Sequence, residues 1–252
     1  MDFRALKTPA LLLDKPRLVA NIARMAAKAK ALNVALRPHM KTAKSVAVAR
    51  MALHHGAKGV AVSTLAEAAY FLDHDVRDIL YAVGLAPGKL DEIAALAARG
   101  ADIKIVTDNL DAARAIATHS GAHRVLIEID TGDGRLGLDP ADPALIEIAR
   151  AIESTKRSRI LGVMTHAGQS YDARDTGLMA QIAEGERAGA VAAAERLRAA
   201  GFECPMVSVG STPTATHARD LTGATELRPG VYMFGDLFQA GIGSCRPDDI
   251  AL

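Results

Sequence analysis

The sequence predicts an α/β protein built as one closed (β/α)8 TIM barrel. Short β-branched runs bounded by turn or polar residues recur along the chain and read as parallel strands buried on both faces. Amphipathic, alanine-rich stretches separate them, giving eight strand–helix alternations. The rival architecture, an open doubly wound sheet, needs fewer strands and a G-x-G-x-x-G turn, and the chain has no such turn.

A leading apolar run, Ala10–Asp14, reads as strand-like, and a helix over Pro16–Leu32 follows it. The eight barrel strands are then expected at Val34–Arg37, Gly59–Ser63, Asp78–Val83, Asp102–Thr107, Arg124–Asp130, Ile160–Thr165, Met206–Val209 and Thr225–Arg228. Helical patterns fall between them at Lys44–His55, Thr64–Asp73, Pro87–Arg99, Asn109–Thr118, Pro143–Ser154 and Thr176–Ala200. Pro87 and Pro143 suit a first helical turn, where a missing N–H costs nothing. Gly100 and Gly201 suit helix C-termini, where a positive φ is wanted. The tail Val231–Leu252 has no place in the barrel. The chain therefore divides into a barrel over residues 1–235 and a segment over 236–252 outside it.

Composition sets the bounds. The 252 residues are 50% hydrophobic and 23% charged, enough to bury a core without disulfides or a structural metal. Thirty basic residues against twenty-nine acidic ones, with no long single-sign run, give nothing to draw in nucleic acid or an anionic membrane. Cys204 and Cys245 stand far apart without C-x-x-C spacing, which fits a reducing compartment. The apolar run before Asp14 is too short for a signal peptide or a membrane span, so a cytoplasmic location is expected.

In a barrel, the C-terminal strand ends line the active site, and here they carry chemistry. Gly210-Ser211-Thr212 after the seventh strand and Gly230 after the eighth expose backbone N–H groups and hydroxyls where barrels hold phosphate. A plain tight turn with a capping Ser or Thr would look the same. Lys41 stands just past the first barrel strand. It is either a solvated surface lysine or a desolvated amine able to form a Schiff base. A phosphate cradle facing such an amine suits pyridoxal phosphate; a phosphosugar enzyme with a lysine nucleophile is the rival. Arg135 follows two glycines and either faces the pyridine nitrogen or merely pairs with Asp130 or Asp133. His39, His166 and Tyr171 are candidate proton carriers or cofactor supports, with small and polar neighbours around His166.

RPHMKT around Lys41, THAGQSY around His166, GSTPT from Gly210 and RPGVYMF from Arg228 together resemble the D-serine dehydratase and D-threonine aldolase family. These are fold-type III pyridoxal-phosphate proteins with a barrel of the alanine racemase N-terminal type. TPALLLD, VSTLAEAAYF and DILYAVGLAP resemble the branch containing D-threo-3-hydroxyaspartate dehydratase. The resemblance runs along essentially the whole chain. It implies that Lys41 carries the cofactor, that Gly210, Ser211, Thr212, Gly230 and Tyr232 hold its phosphate, and that Arg135 approaches the pyridine nitrogen. His39, His166, Gln169 and Tyr171 would flank the cofactor, with Lys41 and His166 catalytic. The resemblance also implies that residues 236–252 start a β-rich domain, to which the leading run Ala10–Asp14 belongs.

The implied activity is a lyase that converts a D-3-hydroxy amino acid into a 2-keto acid and ammonia, working as a possible homodimer. An aldolase, a racemase or a non-catalytic single-barrel pyridoxal-phosphate homeostasis protein are the alternatives. Two departures stand out. Lys41-Thr42-Ala43-Lys44 replaces the K-T-H-K of some relatives. The family's divalent metal, zinc or manganese, is held in a C-terminal β-rich domain by ligands that this sequence lacks.

Overall fold

The computed structural model describes residues 3–252. Eight parallel strands, β1 (Ala35–Leu36), β2 (Val60–Val62), β3 (Asp78–Gly84), β4 (Asp102–Thr107), β5 (Arg124–Ile129), β6 (Arg159–Thr165), β7 (Met206–Val209) and β8 (Glu226–Leu227), form one sheet in the order β1-β8-β7-β6-β5-β4-β3-β2. The seam between β1 and β2 is closed by backbone beyond the short β1. Lys58 donates to Leu36 at 3.0 Å, Ala61 to Pro38 at 2.9 Å and Met40 to Ala61 at 2.8 Å. The sheet is therefore a closed cylinder.

Each strand was legible from its sequence, with trimmed ends at β1 and β8. Pro38 and Pro229 follow these strands and have no N–H to donate to a ladder. Alternation along the strands sends Ile79 and Tyr81, Val125 and Ile127 outward to the helices, while Leu80 and Leu126 join Ala61, Val106 and Met164 inside the cylinder. The helices around it are α1 (Lys15–Ala31), α2 (Val46–His54), α3 (Leu65–Leu72), α4 (Leu90–Ala98), α5 (Leu110–Thr118), α6 (Ala144–Glu153), α7 (Thr176–Ala199), α8 (Thr212–His217) and α9 (Leu237–Gly241). Their starts are set by side-chain caps: Asp14 accepts the Arg17 N–H, Thr64 that of Glu67, Asn109 those of Asp111 and Ala112, and Asp175 that of Leu178. Gly100 and Gly201 end their helices at φ of +97° and +92°. The helix expected from Pro87 opens with one 3-10 turn, Pro87–Lys89, before α4.

Charged side chains plug the N-terminal end of the barrel. Arg37 reaches Glu226 and Asp78, each at 2.7 Å, and Lys104 reaches Asp78 at 2.6 Å and Asp102 at 2.7 Å. Asp78, Asp102 and Arg124 are the first residues of their strands, so this network closes the bottom and leaves the C-terminal rim as the open end.

The expected strand at Ala10–Asp14 is not formed. The run has no sheet neighbour: Leu11, Leu12 and Leu13 are exposed, and only the Asp14 N–H reaches across, to the Ala251 carbonyl at 2.8 Å. An apolar run with no ladder partner has nothing to satisfy its backbone groups as a strand. Residues 236–252 likewise contain no strand. They fold back on α1, where Asn21 donates to the Asp249 carbonyl at 2.8 Å and Arg24 pairs with the Asp249 carboxylate at 2.9 Å. No helix among the described residues is long and apolar enough to cross a membrane.

Candidate active site

The open rim gathers the residues that the strand ends predicted. The His39 N–H donates to the Pro229 carbonyl at 2.9 Å, which fastens the Lys41 segment to the loop after β8. The Tyr232 N–H donates to the Thr212 hydroxyl at 3.3 Å, which fastens that loop to the Gly-Ser-Thr turn after β7. Lys41, Gly230 and Gly210–Thr212 thus share one side of the mouth. Gly230 is required by space: a Cβ there would stand 2.9 Å from the His39 carbonyl oxygen and 3.2 Å from His39 Cβ. Gly210 takes φ +112°, a region open to glycine.

Lys41 is exposed through the mouth, yet its amine is partly desolvated there. That desolvation, followed by the charges of Arg135 and Arg228, lowers its pKa, and only Glu67 pulls the other way. The surroundings shift the equilibrium towards the free amine that a Schiff base requires. His166 is held neutral: burial, then Arg228, Lys41 and Arg135, lower its pKa to about 3, against a hydrogen bond with the Gly210 backbone. His39 is pushed well below its ordinary value by burial and then by Lys41, Arg228 and His166. These residues sense one another's charge, as one site requires.

Beside His166, the 3-10 turn Gly168–Tyr171 sets three side chains. Gln169 donates to the Thr131 carbonyl at 2.9 Å and leaves its Oε1 buried without a partner. The Ser170 hydroxyl contacts that of Ser211 at 2.7 Å. The Thr212 N–H points to the Tyr171 hydroxyl at 3.5 Å, and burial raises that phenol's pKa. Ser211 caps α8, accepting the Thr214 N–H while Thr214 Oγ1 accepts the Ser211 N–H, so its hydroxyl is tied into the turn. Thr212 therefore offers the less committed hydroxyl and amide of the pair. Tyr232 is buried with its hydroxyl unpartnered.

Arg135 lies in the loop after β5. It is exposed and pairs with Asp133 at 3.5 Å, while the Asp130 carboxylate accepts the Gly132 and Gly134 N–H groups at 2.8 and 3.1 Å. Its charge still reaches Lys41 and His166.

Two residues of the site were not singled out in the sequence. Arg228 is 3% exposed, donates to the Thr165 carbonyl at 2.6 Å, and holds a buried Nε with no acceptor. Glu186, in the middle of α7, accepts the Ala167 and Gly210 N–H groups at 3.0 and 2.9 Å. A signal for it existed: Glu186 lies on the buried face that runs through Met179, Ala183, Ala190, Ala193 and Leu197.

This cylinder with a lysine past its first strand, a glycine-rich turn past its seventh and an R-P-G segment past its eighth is a recognisable class. Residues 13–237 match the family model described as alanine racemase, N-terminal domain, and the chain belongs to that family. It is 48% identical over 252 residues to D-threo-3-hydroxyaspartate dehydratase of Delftia sp. (strain HT23), covering 98% of this chain and 66% of that protein. It is 28% identical over 271 residues to D-serine dehydratase of Dictyostelium discoideum, covering 100% and 68%. The solved structure of the Delftia enzyme superposes with a TM-score of 0.96 at 48% identity, over 98% of this chain and 66% of that one. The chain thus spans about two thirds of the length of the relatives it matches. A variant of D-threo-3-hydroxyaspartate dehydratase has been solved in a metal-free form. Among the described residues, no three His, Cys, Asp or Glu side chains cluster so as to hold a metal.

Proposed function

We propose that this chain is the pyridoxal-phosphate-binding barrel of a cytoplasmic lyase acting on D-3-hydroxy amino acids, releasing a 2-keto acid and ammonia. The carrying observation is the shared rim: a partly desolvated amine at Lys41, on a segment that His39 fastens to the Pro229–Gly230 loop, which Tyr232 in turn fastens to the Gly210–Thr212 turn. Orphaned buried groups support the fit. The Arg228 Nε is an unused donor suited to an unprotonated ring nitrogen, and Gln169 Oε1 is an unused acceptor. Gly210, Thr212, Gly230 and the backbone of Tyr232 would hold the phosphate, with Ser211 shaping the turn. Dehydration is preferred over aldol cleavage because identity reaches 48% with the dehydratase against 30% with the 3-hydroxy-D-aspartate aldolase of Paracoccus denitrificans (strain Pd 1222).

Bound pyridoxal phosphate supplies an electron sink for a bond breaking at the substrate Cα. Lys41 Nζ, its pKa lowered, is the base suited to the α-proton. His166, neutral at ordinary pH, can hydrogen-bond the β-hydroxyl but holds no acidic proton, so the α-proton taken up by Lys41 is the one available to leave with that hydroxyl as water. An arginine at the ring nitrogen keeps that nitrogen unprotonated and favours chemistry with a short-lived carbanion. The test is incubation with pyridoxal phosphate, borohydride reduction and peptide mass mapping. A single adduct on Lys41, lost in Lys41→Ala together with the visible absorption band, is expected. A colourless protein, or label spread over surface lysines, overturns the assignment. Keto-acid release from D-serine and D-threo-3-hydroxyaspartate then tests the reaction.

A further inference from the structure

A cavity of about 230 Å³ lies outside the mouth, between α1, α8 and the tail. Asn21, Met25 and Lys28 of α1 form one wall, and Gln239, Ser244 and Cys245 of the tail form another. Thr212 and Tyr232 close it towards the barrel. Six buried side-chain atoms among the described residues lack a hydrogen-bond partner, and three of them belong to this lining: the Tyr232 hydroxyl, Gln239 Oε1 and the Ser244 hydroxyl. Those residues are 8%, 2% and 8% exposed, so bulk water does not serve them. A buried polar group left unmade is costly, and three around one cavity mark a space for an occupant that supplies partners.

The lining also has a sign. Arg24 and Lys28 contribute to it and no carboxylate does. Asp249 neutralises Arg24 at 2.9 Å, whereas Lys28 has no acidic partner among the described residues. Met25 and the ring of Tyr232 make much of the remaining surface apolar. We propose that this cavity binds a small monocarboxylate with a short apolar body. Its carboxylate would meet the Lys28 ammonium and accept from the Ser244 and Tyr232 hydroxyls, its carbons would lie against Met25, and the Gln239 Oε1 acceptor would be served by water beside the acid. The space is large enough for one short-chain acid with water beside it. The assignment does not rest on the cofactor or on the proposed reaction.

Cys245 lines the cavity while Cys204 is buried elsewhere, so one thiol reports and the other is a silent reference. The experiment titrates the protein with butyrate, using butyramide and butylammonium as uncharged and oppositely charged matches. Binding is read by calorimetry and by the rate of Cys245 alkylation with iodoacetamide at fixed pH. Saturable heat and several-fold slower alkylation with butyrate alone are expected. Lys28→Gln, on the rim, weakens butyrate by about tenfold, and Ser244→Met fills the space and removes protection. No heat with unchanged alkylation, or equal protection by all three probes, overturns the proposal. Lys28→Gln with unchanged affinity overturns it even if Ser244→Met does not fold.

Discussion

The Glu186 carboxylate accepts the Gly210 N–H at 2.9 Å, and the same oxygen takes the Ala167 N–H at 3.0 Å. One fully buried acid thereby ties the loop after β6 to the turn after β7. Burial raises its pKa against the pull of these hydrogen bonds. Glu186→Ala leaves two buried donors unmade and should cost about 3 kcal/mol or more in denaturant unfolding. Glu186→Gln keeps an acceptor oxygen and should lose clearly less. Pyridoxal-phosphate affinity, followed by absorbance titration, should fall more steeply in the alanine variant. Equal behaviour of the two would remove the hydrogen-bonding role.

Acid should weaken the fold through His166. In the unfolded chain this ring titrates near 6.5, and in the folded protein burial and then Arg228, Lys41 and Arg135 hold it to about 3. Between those values the unfolded state binds the proton and the folded state does not. The neutral ring's contribution is therefore complete above about pH 6.5 and drains away as pH falls towards about 3. Unfolding free energy measured by urea titration should drop across that window, and His166→Asn should flatten the slope. An unchanged slope in the variant would assign the acid sensitivity to other groups.

The strands, Lys41, His39 and His166 were legible because their signals are local. A β-branched run needs no tertiary knowledge, and a polar residue one step past it lies at the mouth once a barrel is assumed. Glu186 was not legible in that way, since its partners lie 19 and 24 residues away and its neighbours are an ordinary alanine-rich helix. Arg228 was visible as part of R-P-G, but its inward direction depends on the Thr165 carbonyl, 63 residues earlier. Ala10–Asp14 misled for the converse reason: its composition suits a strand, and no neighbouring strand is there to pair with it.

Gly230 offers a test of the cradle with an internal control. Its φ lies outside the left-handed region, so Gly230→Ala carries no backbone strain, yet the new Cβ presses on the His39 carbonyl and Cβ. The His39–Lys41 segment must give way, at a cost of about 1–3 kcal/mol. Gly88→Ala meets nothing within 4 Å and also has no positive φ. Thermal unfolding should separate the two, and borohydride labelling of Lys41 should slow only in Gly230→Ala. Equal labelling in both would mean that Lys41 does not depend on the packing beside it.

On the proposed reading, Arg228 and not Arg135 meets the cofactor ring. Arg135 is spent on Asp133 in solvent, whereas Arg228 keeps an unused Nε inside the mouth. Glu226, Glu186 and Glu128 surround Arg228 and offset the burial that lowers its pKa, so a cation at this position is also needed for folding. Arg228→Lys keeps the charge but loses both the Nε donor and the fork that reaches the Thr165 carbonyl, so the visible band, which reports the ring, is read beside the affinity. Pyridoxal-phosphate affinity should fall about tenfold or more and the visible band should shift, with unfolding free energy changed less than in Arg228→Leu. Arg135→Lys should leave band and affinity near those of the parent. If instead Arg135→Lys moves the band and Arg228→Lys does not, the ring nitrogen faces the loop after β5 and the buried Nε has some other partner.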